Sequence, residues 1–306
     1  MIEIDRKIDV DGVGVAIQDQ GPRDALPLVF LHGGSRTLAD WLFVVPSLAD
    51  DFRVVTVDFR GHGKSDPVQS YNWLDGVKDA GGVIEGLELA DPVVIGHSLG
   101  GMTAIKYAAD GGRCVGIINV DGFGAGHYSE FPGYEKEDAI RRLAGFAEES
   151  EKMFRAQVDT GDAEWMENAV SNLRPSLERM GVSWDTAEPL VRRGFRQLPD
   201  GRWQTSPSAN VNASMYKSLS GVEHWSNYQR LTVPTLTVRG VVDEEQDDKD
   251  GGKFLAAYRR NIETRLAEEK ARRDNCYVEE LECGHMVMWQ KPAELVDSIR
   301  RFVKGL

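Results

Sequence analysis

The most constraining feature of this sequence is a glycine-flanked serine between a strand-like run and a helix-like run. Residues 92–96 are apolar and rich in β-branched side chains, a pattern typical of a buried strand, and residues 98–109 suit a helix. The G-x-S-x-G element Gly96-His97-Ser98-Leu99-Gly100 joins them. Strand, sharp turn and helix in this order predict a strained turn that lifts the Ser98 hydroxyl above the sheet edge. The glycines fit because a Cβ there would collide with the neighbouring strand and helix.

A serine hydroxyl is a poor nucleophile by itself, so a reactive Ser98 needs a base. His285 follows a strand-like run at 277–281 and stands beside Gly284, on the loop before a C-terminal helix. An imidazole titrates near neutrality, so it can take the serine proton and return it to a leaving group. We therefore predict that Ser98 is the nucleophile and His285 the base.

Several acidic residues could orient the imidazole of His285. Asp243 lies three residues beyond a strand-like run that ends in glycine, and it falls between the serine and the histidine in sequence. This position favours Asp243 as the acid. Asp121 also follows an apolar run, and Glu244 and Glu245 adjoin Asp243, so these three remain alternatives.

Acyl-transfer chemistry also needs backbone N–H groups that face the developing negative charge. Leu99 follows the predicted nucleophile directly, and Gly34 ends the His32-Gly33-Gly34 run that follows an apolar strand at 28–31. A glycine at 34 would let a substrate carbonyl approach the amide closely. The N–H groups of Gly34 and Leu99 are therefore the predicted oxyanion hole.

Four motifs together resemble the α/β-hydrolase superfamily, in its cap-bearing serine hydrolase branch. They are Leu31-His32-Gly33-Gly34, residues 58–65 (DFRGHGKS), residues 96–101 and Gly284-His285. The resemblance covers residues 1–121 and 231–306 and is weak between them. It implies that Asp58, Arg60 and His62 shape a loop rather than take part in catalysis.

Alternating strand-like and helix-like runs predict an α/β fold with a mostly parallel eight-stranded sheet covered by helices on both faces. The first two strands are expected to be antiparallel. The predicted strands are 2–8, 13–19, 27–31, 52–57, 92–96, 115–120, 235–239 and 276–281, and the predicted helices are 38–49, 72–88, 98–109, 251–272 and 290–304. Residues 1–121 and 231–306 would form the α/β-hydrolase core.

Residues 122–230 break this alternation and are predicted to be a cap, or lid, inserted after the sixth strand. Helix-like stretches at 134–158, 163–173 and 186–196 precede a Pro-Asp-Gly turn at 199–201, which indicates a small hairpin. Large side chains in this segment could line a pocket, although helical spacing more often places such residues in a core. They are Met153, Trp165, Met166, Trp184, Tyr216 and Trp225.

Composition excludes several classes of partner and site. The net charge of −13 over 306 residues argues against nucleic acid and anionic membrane surfaces as partners. Cys114, Cys276 and Cys283 lack metal-ligand spacing, and the acidic run at 243–252 lacks the spacing of a calcium loop. We expect no metal and no cofactor. The first residues lack the pattern of a signal peptide, so a cytoplasmic location is expected, and the oligomeric state is left open.

The predicted function is a serine hydrolase that cleaves a carboxylic ester or lactone of a small-molecule acyl substrate through an acyl-enzyme. A serine rather than an aspartate at the turn argues against the carboxylate-nucleophile chemistry of epoxide hydrolases and haloalkane dehalogenases. C–C bond hydrolysis and thioester hydrolysis use the same triad and remain alternatives. A low-turnover ligand receptor on this fold is the alternative from a different class, because a fold alone does not fix function.

Overall fold

A computed structural model describes residues 5–124, 131–220, 222–242 and 249–306. The strands are β1 (Arg6–Val10), β2 (Val13–Gln20), β3 (Pro27–Leu31), β4 (Arg53–Val57), β5 (Val93–His97), β6 (Gly116–Val120), β7 (Thr160–Gly161), β8 (Phe195–Gln197), β9 (Trp203–Thr205), β10 (Thr235–Gly240) and β11 (Cys276–Leu281). The helices are α1 (Trp73–Gly86), α2 (Leu99–Ala109), α3 (Lys136–Ala156), α4 (Ala163–Ser171), α5 (Arg174–Arg179), α6 (Trp184–Arg193), α7 (Ala209–Leu219), α8 (Trp225–Arg230), α9 (Lys249–Arg272), α10 (Val287–Gln290) and α11 (Pro292–Lys304).

The main sheet has eight strands in the order β1-β2-β4-β3-β5-β6-β10-β11. Strand β2 runs antiparallel to both β1 and β4, and the pairs from β4 to β11 are parallel. The predicted fold class is therefore confirmed, including the antiparallel start. Because the carboxyl ends of β3, β5, β6, β10 and β11 meet at one edge, the loops that leave these strands lie together there.

The central strands β3, β5 and β6 are buried on both faces, as their near-continuous apolar runs require. In β3, Val29 and Leu31 belong to one hydrophobic cluster with residues of α1, α2 and α9, whereas Leu28 and Phe30 belong to another with residues of α10 and α11. The two-residue period of a strand sends alternate side chains to opposite faces. The sheet thus has one hydrophobic core on each side.

The predicted helix at 38–49 is wrong. The structure has two short 3₁₀ turns there, Leu38–Trp41 and Val45–Ser47. Pro46 lies within the second turn, and a proline removes a helical N–H and clashes with the preceding turn. The segment therefore changes direction and packs Trp41 fully into the core.

The segment between β6 and β10 holds helices α3–α8 and a separate three-stranded sheet in the order β7-β9-β8. The predicted hairpin is confirmed, since β8 and β9 pair antiparallel with Gln197 opposite Trp203. Helix α7, which the sequence did not indicate, packs along α3. The domain boundaries at 121/122 and 230/231 stay predictions. No helix within the described ranges is long and apolar enough to cross a membrane.

Candidate active site

Ser98 occupies the sharp turn between β5 and α2. Its φ of 51° and ψ of −115° lie far from the regions that L-residues favour. Hydrogen bonds on both sides hold this conformation: the Ser98 N–H donates to Val120 O at 2.9 Å, and the Met102 N–H donates to Ser98 O at 3.0 Å. A strained backbone of this kind costs about 1–3 kcal/mol and is found at functional sites. Ser98 is half-buried, and its hydroxyl makes no hydrogen bond with any described residue.

The glycines around Ser98 are required by close backbone contacts. A Cβ on Gly96 would overlap the carbonyl of Gly100, and a Cβ on Gly100 would overlap the carbonyl of Leu31 in the neighbouring strand. The helix α2 therefore lies directly against the ends of β5 and β3. This close packing places the Ser98 hydroxyl at the carboxyl edge of the sheet.

His285 lies in the loop after β11, and its ring contacts a carboxylate. Its Nδ1 is 2.7 Å from Oδ2 of Asp121, the residue that follows β6. An ionised carboxylate can only accept, so Nδ1–H is the donor and Nε2 keeps its lone pair. The His285 side chain is 46% exposed and that of Asp121 is 17% exposed. Nε2 of the half-exposed His285 ring makes no hydrogen bond with any residue that the structure describes.

Asp121 is held rigidly in this position. Its φ is 51°, unusual for any residue other than glycine, and its N–H donates to Val238 O at 2.9 Å. The buried Asn119 closes the turn that carries Asp121 through two hydrogen bonds with Gly122: the Gly122 N–H donates to Asn119 Oδ1 at 3.0 Å, and Asn119 Nδ2 donates to Gly122 O at 2.8 Å. Asn119 Nδ2 also donates to Tyr228 Oη at 2.6 Å. The carboxylate is therefore preorganised toward His285.

Of the acid candidates, the structure places Asp121 against His285. Asp243, which the sequence favoured, lies outside the described residues, as do Glu244 and Glu245. A neutral imidazole has one N–H, and in His285 it is directed at Asp121. Asn119 was missed, although a polar residue within an otherwise apolar strand was a visible signal.

His97 connects the predicted nucleophile to the predicted base. Its Nε2–H donates to the His285 carbonyl at 3.0 Å, and the two rings lie 4.6 Å apart. Burial lowers the pKa of His97 well below its usual value, so the ring is neutral. The residue immediately before Ser98 thus fixes the backbone of His285.

The loop after β3 lies against the same turn. A Cβ on Gly33 would come 3.4 Å from Ser98 Cβ, and one on Gly34 would come 3.8 Å from Leu99 Cδ2. Leu99 is the first residue of α2, where an N–H has no intrahelical acceptor. This proximity suits an oxyanion hole made by Gly34 and Leu99, which remains a prediction.

His32 shapes this loop from beneath. Its Nδ1–H donates to Gly33 O at 2.7 Å, and its Nε2 accepts from the Phe59 N–H at 3.1 Å. Burial lowers the pKa of His32 to about 3, so the ring stays neutral. It therefore acts as a fixed spacer between two loops.

Asp58 joins three parts of the molecule. Its side chain is fully buried and accepts from the N–H of Leu38 at 2.7 Å, from the N–H of Lys64 at 2.9 Å, and from Arg193 Nη2 at 2.6 Å. Arg193 ends helix α6 of the inserted segment. The same loop carries Arg60, whose guanidinium pairs with the buried Asp79.

A cavity of about 560 Å³ separates the inserted helices from the loops after β3 and β11. Ser98 and His285 do not line it, but Ser35 and Met286, which follow Gly34 and His285, do. Its walls are mostly apolar, as is usual for a small-molecule pocket. The described lining residues are Ser35, Arg36, Thr37, Asp40, Phe154, Gln157, Val158, Trp165, Ala169, Leu173, Ser176, Leu177, Met180, Leu190, Val191, Gly194, Phe195, Thr205, Ser206, Pro207, Asn212, Met286 and Trp289.

The six large side chains singled out from the inserted segment have different environments. Trp165 lines the cavity, whereas Trp225 stacks on Tyr228 in the core and Met153 is 61% exposed. Within the described parts of the chain, no group of three or more His, Cys, Asp or Glu side chains is arranged to hold a metal ion.

Comparison with known proteins identifies the family of this chain. The model of the alpha/beta hydrolase family matches residues 28–298. The chain is 29% identical over 239 residues to a non-heme chloroperoxidase of Burkholderia pyrrocinia, covering 76% of this chain and 80% of that protein. It is 39% identical over 104 residues to a bifunctional esterase/perhydrolase of Acinetobacter calcoaceticus, covering 32% and 37% of the two chains. The crystal structure of an E-2-(acetamidomethylene)succinate hydrolase superposes with a TM-score of 0.73 at 20% identity, covering 99% of each chain. This chain belongs to the alpha/beta hydrolase family.

Proposed function

We propose that the protein is a serine hydrolase that cleaves a carboxylic ester or lactone through an acyl-enzyme. Ser98 is the nucleophile, His285 the general base and acid, and Asp121 the carboxylate that orients His285. The observation that carries the proposal is the 2.7 Å contact of Asp121 with His285 Nδ1, which leaves Nε2 unprotonated beside a strained serine turn. The reaction in this form uses no cofactor.

The chemistry follows from these roles. Ser98 Oγ attacks the substrate carbonyl while His285 Nε2 takes its proton, and the oxyanion accepts hydrogen bonds from the Gly34 and Leu99 amides. The tetrahedral intermediate then expels the alcohol, which receives the proton from His285. Water activated by the same imidazole attacks the acyl-enzyme and releases the acid and Ser98. Ser98 and His285 form no hydrogen bond here, but such bonds are often long without substrate and tighten in the complex.

Asp121 is proposed as the acid because the Nδ1–H of His285 is already directed at it. Sheet order gives a reason: β6 is paired directly with β5, so the residue after β6 lies beside the serine turn. Asp243 follows β10, one strand further from β5. A comparison of the two aspartates is developed in the Discussion.

Ester or lactone cleavage is proposed over the alternatives on two grounds. One relative is a bifunctional esterase/perhydrolase, and the pocket beside the site is largely apolar. C–C bond and thioester hydrolysis need the same triad, so they are separated by substrate panels. We further propose that residues 122–230 act as a cap that governs substrate choice, because helices of this segment wall the cavity.

The test is covalent labelling by a fluorophosphonate, followed by turnover on ester, lactone, thioester and vinylogous diketone panels. The wild-type protein should be labelled stoichiometrically and Ser98→Ala should not, while both keep the same Tm. Ser183→Ala, at the exposed start of α6, is the matched control and should label like wild type. Labelling of Ser98→Ala at the wild-type rate would refute the nucleophile assignment. A single burst on every substrate would favour the receptor alternative over an enzyme.

A further inference from the structure

One guanidinium lies among the described residues that line the cavity beside the site. Among the described lining residues, Arg36 and Asp40 are the charged ones, and Arg36 is the cation. Arg36 lies two residues after Gly34, so their Cα atoms are at most about 7 Å apart. The Arg36 backbone therefore lies close to the proposed oxyanion hole, and Arg36 lines the core side of the cavity.

Arg36 is fixed in place by two neighbours. Its Nη2 is 2.6 Å from Asp40 Oδ1, and its Nε is 3.0 Å from Asp40 Oδ2. Its guanidinium carbon lies 4.5 Å from the centre of the Trp289 ring, and Trp289 Nε1 donates to the Asp40 carbonyl at 3.1 Å. A side chain held in this way loses little entropy when it binds a ligand.

Both members of the pair line the cavity, and their exposure shows which one is more accessible to a ligand. The Asp40 side chain is 3% exposed, whereas that of Arg36 is 36% exposed. Burial lowers the pKa of Arg36, but the Asp40 carboxylate outweighs burial and raises it above its usual value. The guanidinium is therefore charged at any pH of assay, with its carboxylate partner behind it.

Part of the guanidinium is unused. The Asp40 carboxylate occupies Nε and one edge of Nη2, and Nη1 makes no hydrogen bond with any described residue. The remaining N–H groups form a planar fork, which matches the two oxygens of a carboxylate. The chain as a whole carries a net charge of −13, which disfavours an anionic ligand, and a local guanidinium would offset part of that repulsion.

We propose that Arg36 binds a substrate carboxylate, so that the preferred substrate is an ester or lactone that carries a second, ionised carboxyl group. The inference rests on the proposed function and names a substrate class for that site. Because Arg36 is fixed relative to Gly34, the spacer between the scissile carbonyl and the carboxylate should have an optimal length. The apolar walls would contact this spacer.

The experiment compares p-nitrophenyl half-esters of straight-chain dicarboxylic acids, from four to eight carbons, with the same compounds capped as methyl esters. Wild-type kcat/KM should be higher for the free acids and should peak at one chain length. Arg36→Gln should lower the ratio of acid to capped kcat/KM by about 10- to 150-fold, the range for losing a charge-assisted hydrogen bond. The matched control is Arg174→Gln, because Arg174 also pairs with a residue four positions on (Glu178) and packs over a tryptophan (Trp184) outside the cavity lining. This control should leave the ratio at the wild-type value.

A second measurement does not depend on the variant folding. Free dicarboxylates should inhibit wild-type hydrolysis of a neutral ester more strongly than monocarboxylates of equal length. Equal rates for acids and capped esters, or an equal fall for both in Arg36→Gln, would overturn the role of Arg36. Absence of ester turnover together with absence of fluorophosphonate labelling would instead refute the proposed function.

Discussion

Replacing Asp121 with asparagine is the most informative perturbation of the proposed triad. The side chains are nearly the same size, and asparagine tolerates the positive φ of 51° at this position as well as aspartate does. The loop should therefore keep its geometry, because its bracing hydrogen bonds come from Asn119 and the Asp121 backbone. The change removes the carboxylate charge and little else.

The expected loss follows from the contact that disappears. A hydrogen bond to a charged group contributes about 1.5–3 kcal/mol, which corresponds to a loss of about 10- to 150-fold. An amide can also stabilise the wrong tautomer of His285, an effect worth up to about 10⁴ in a fully buried triad. The side chains here are 17% and 46% exposed, so water screens part of the charge. We therefore expect kcat to fall by about 10²- to 10³-fold.

The assay is kcat and KM on the best ester of the panel, with Tm and fluorophosphonate labelling measured for each variant. Asp243→Asn is the comparison variant and should lose less than about threefold. A near-normal kcat for Asp121→Asn beside a collapse in Asp243→Asn would refute the assignment and return the acid to Asp243. A fall of similar size in both would mean that each carboxylate contributes to orienting His285.

Two further predictions concern stability. Gly100→Ala should lower the free energy of unfolding by about 2–4 kcal/mol and reduce turnover, because its Cβ would meet the Leu31 carbonyl. Gly145→Ala should raise the free energy of unfolding by up to about 1 kcal/mol, because its Cβ would meet nothing within 4 Å and alanine favours the helix α3. Urea denaturation measures both. Burial lowers the pKa of His224 to about 3, whereas an unfolded histidine has a pKa near 6.5. Between these two pH values the unfolded chain binds a proton at His224 and the folded chain does not. The free energy of unfolding therefore falls as the pH is lowered from 6.5 toward 3. Between pH 7 and pH 5, His224→Gln should therefore lose about 1–2 kcal/mol less than wild type; an unchanged pH dependence would show that this histidine is not held neutral.

The sequence predicted the sheet well because each strand carries its own local signal. Buried parallel strands such as β5 and β6 are continuous apolar runs, and the glycines at 96 and 100 mark the turn. The residues between 38 and 49 misled the prediction because apolar spacing alone does not distinguish a regular helix from two tight turns interrupted by Pro46.

The choice between Asp121 and Asp243 as acid was harder to make from the sequence because reach depends on strand order, which is not a local property. Asp121 and Asp243 both follow strand-like runs, and nothing in either pattern indicates which strand lies next to β5. Arg36 was not predicted for a related reason. Its proposed role depends on a tryptophan 253 positions away in the chain, which only the fold brings over the guanidinium.

The buried carboxylate of Asp58 also limits which inserted segments can be exchanged between this protein and its relatives. It holds the loop after β3, which carries the proposed oxyanion-hole residue Gly34, through the Leu38 N–H, and it receives the guanidinium of Arg193 from the inserted segment. In a chimera whose insertion comes from a relative without an equivalent arginine, the buried carboxylate of Asp58 would lose its ion pair with Arg193. Such a graft would weaken the core itself, and with it the loop that carries Gly34. Exchange of specificity between relatives is therefore expected to succeed when Asp58 and Arg193 move as a pair.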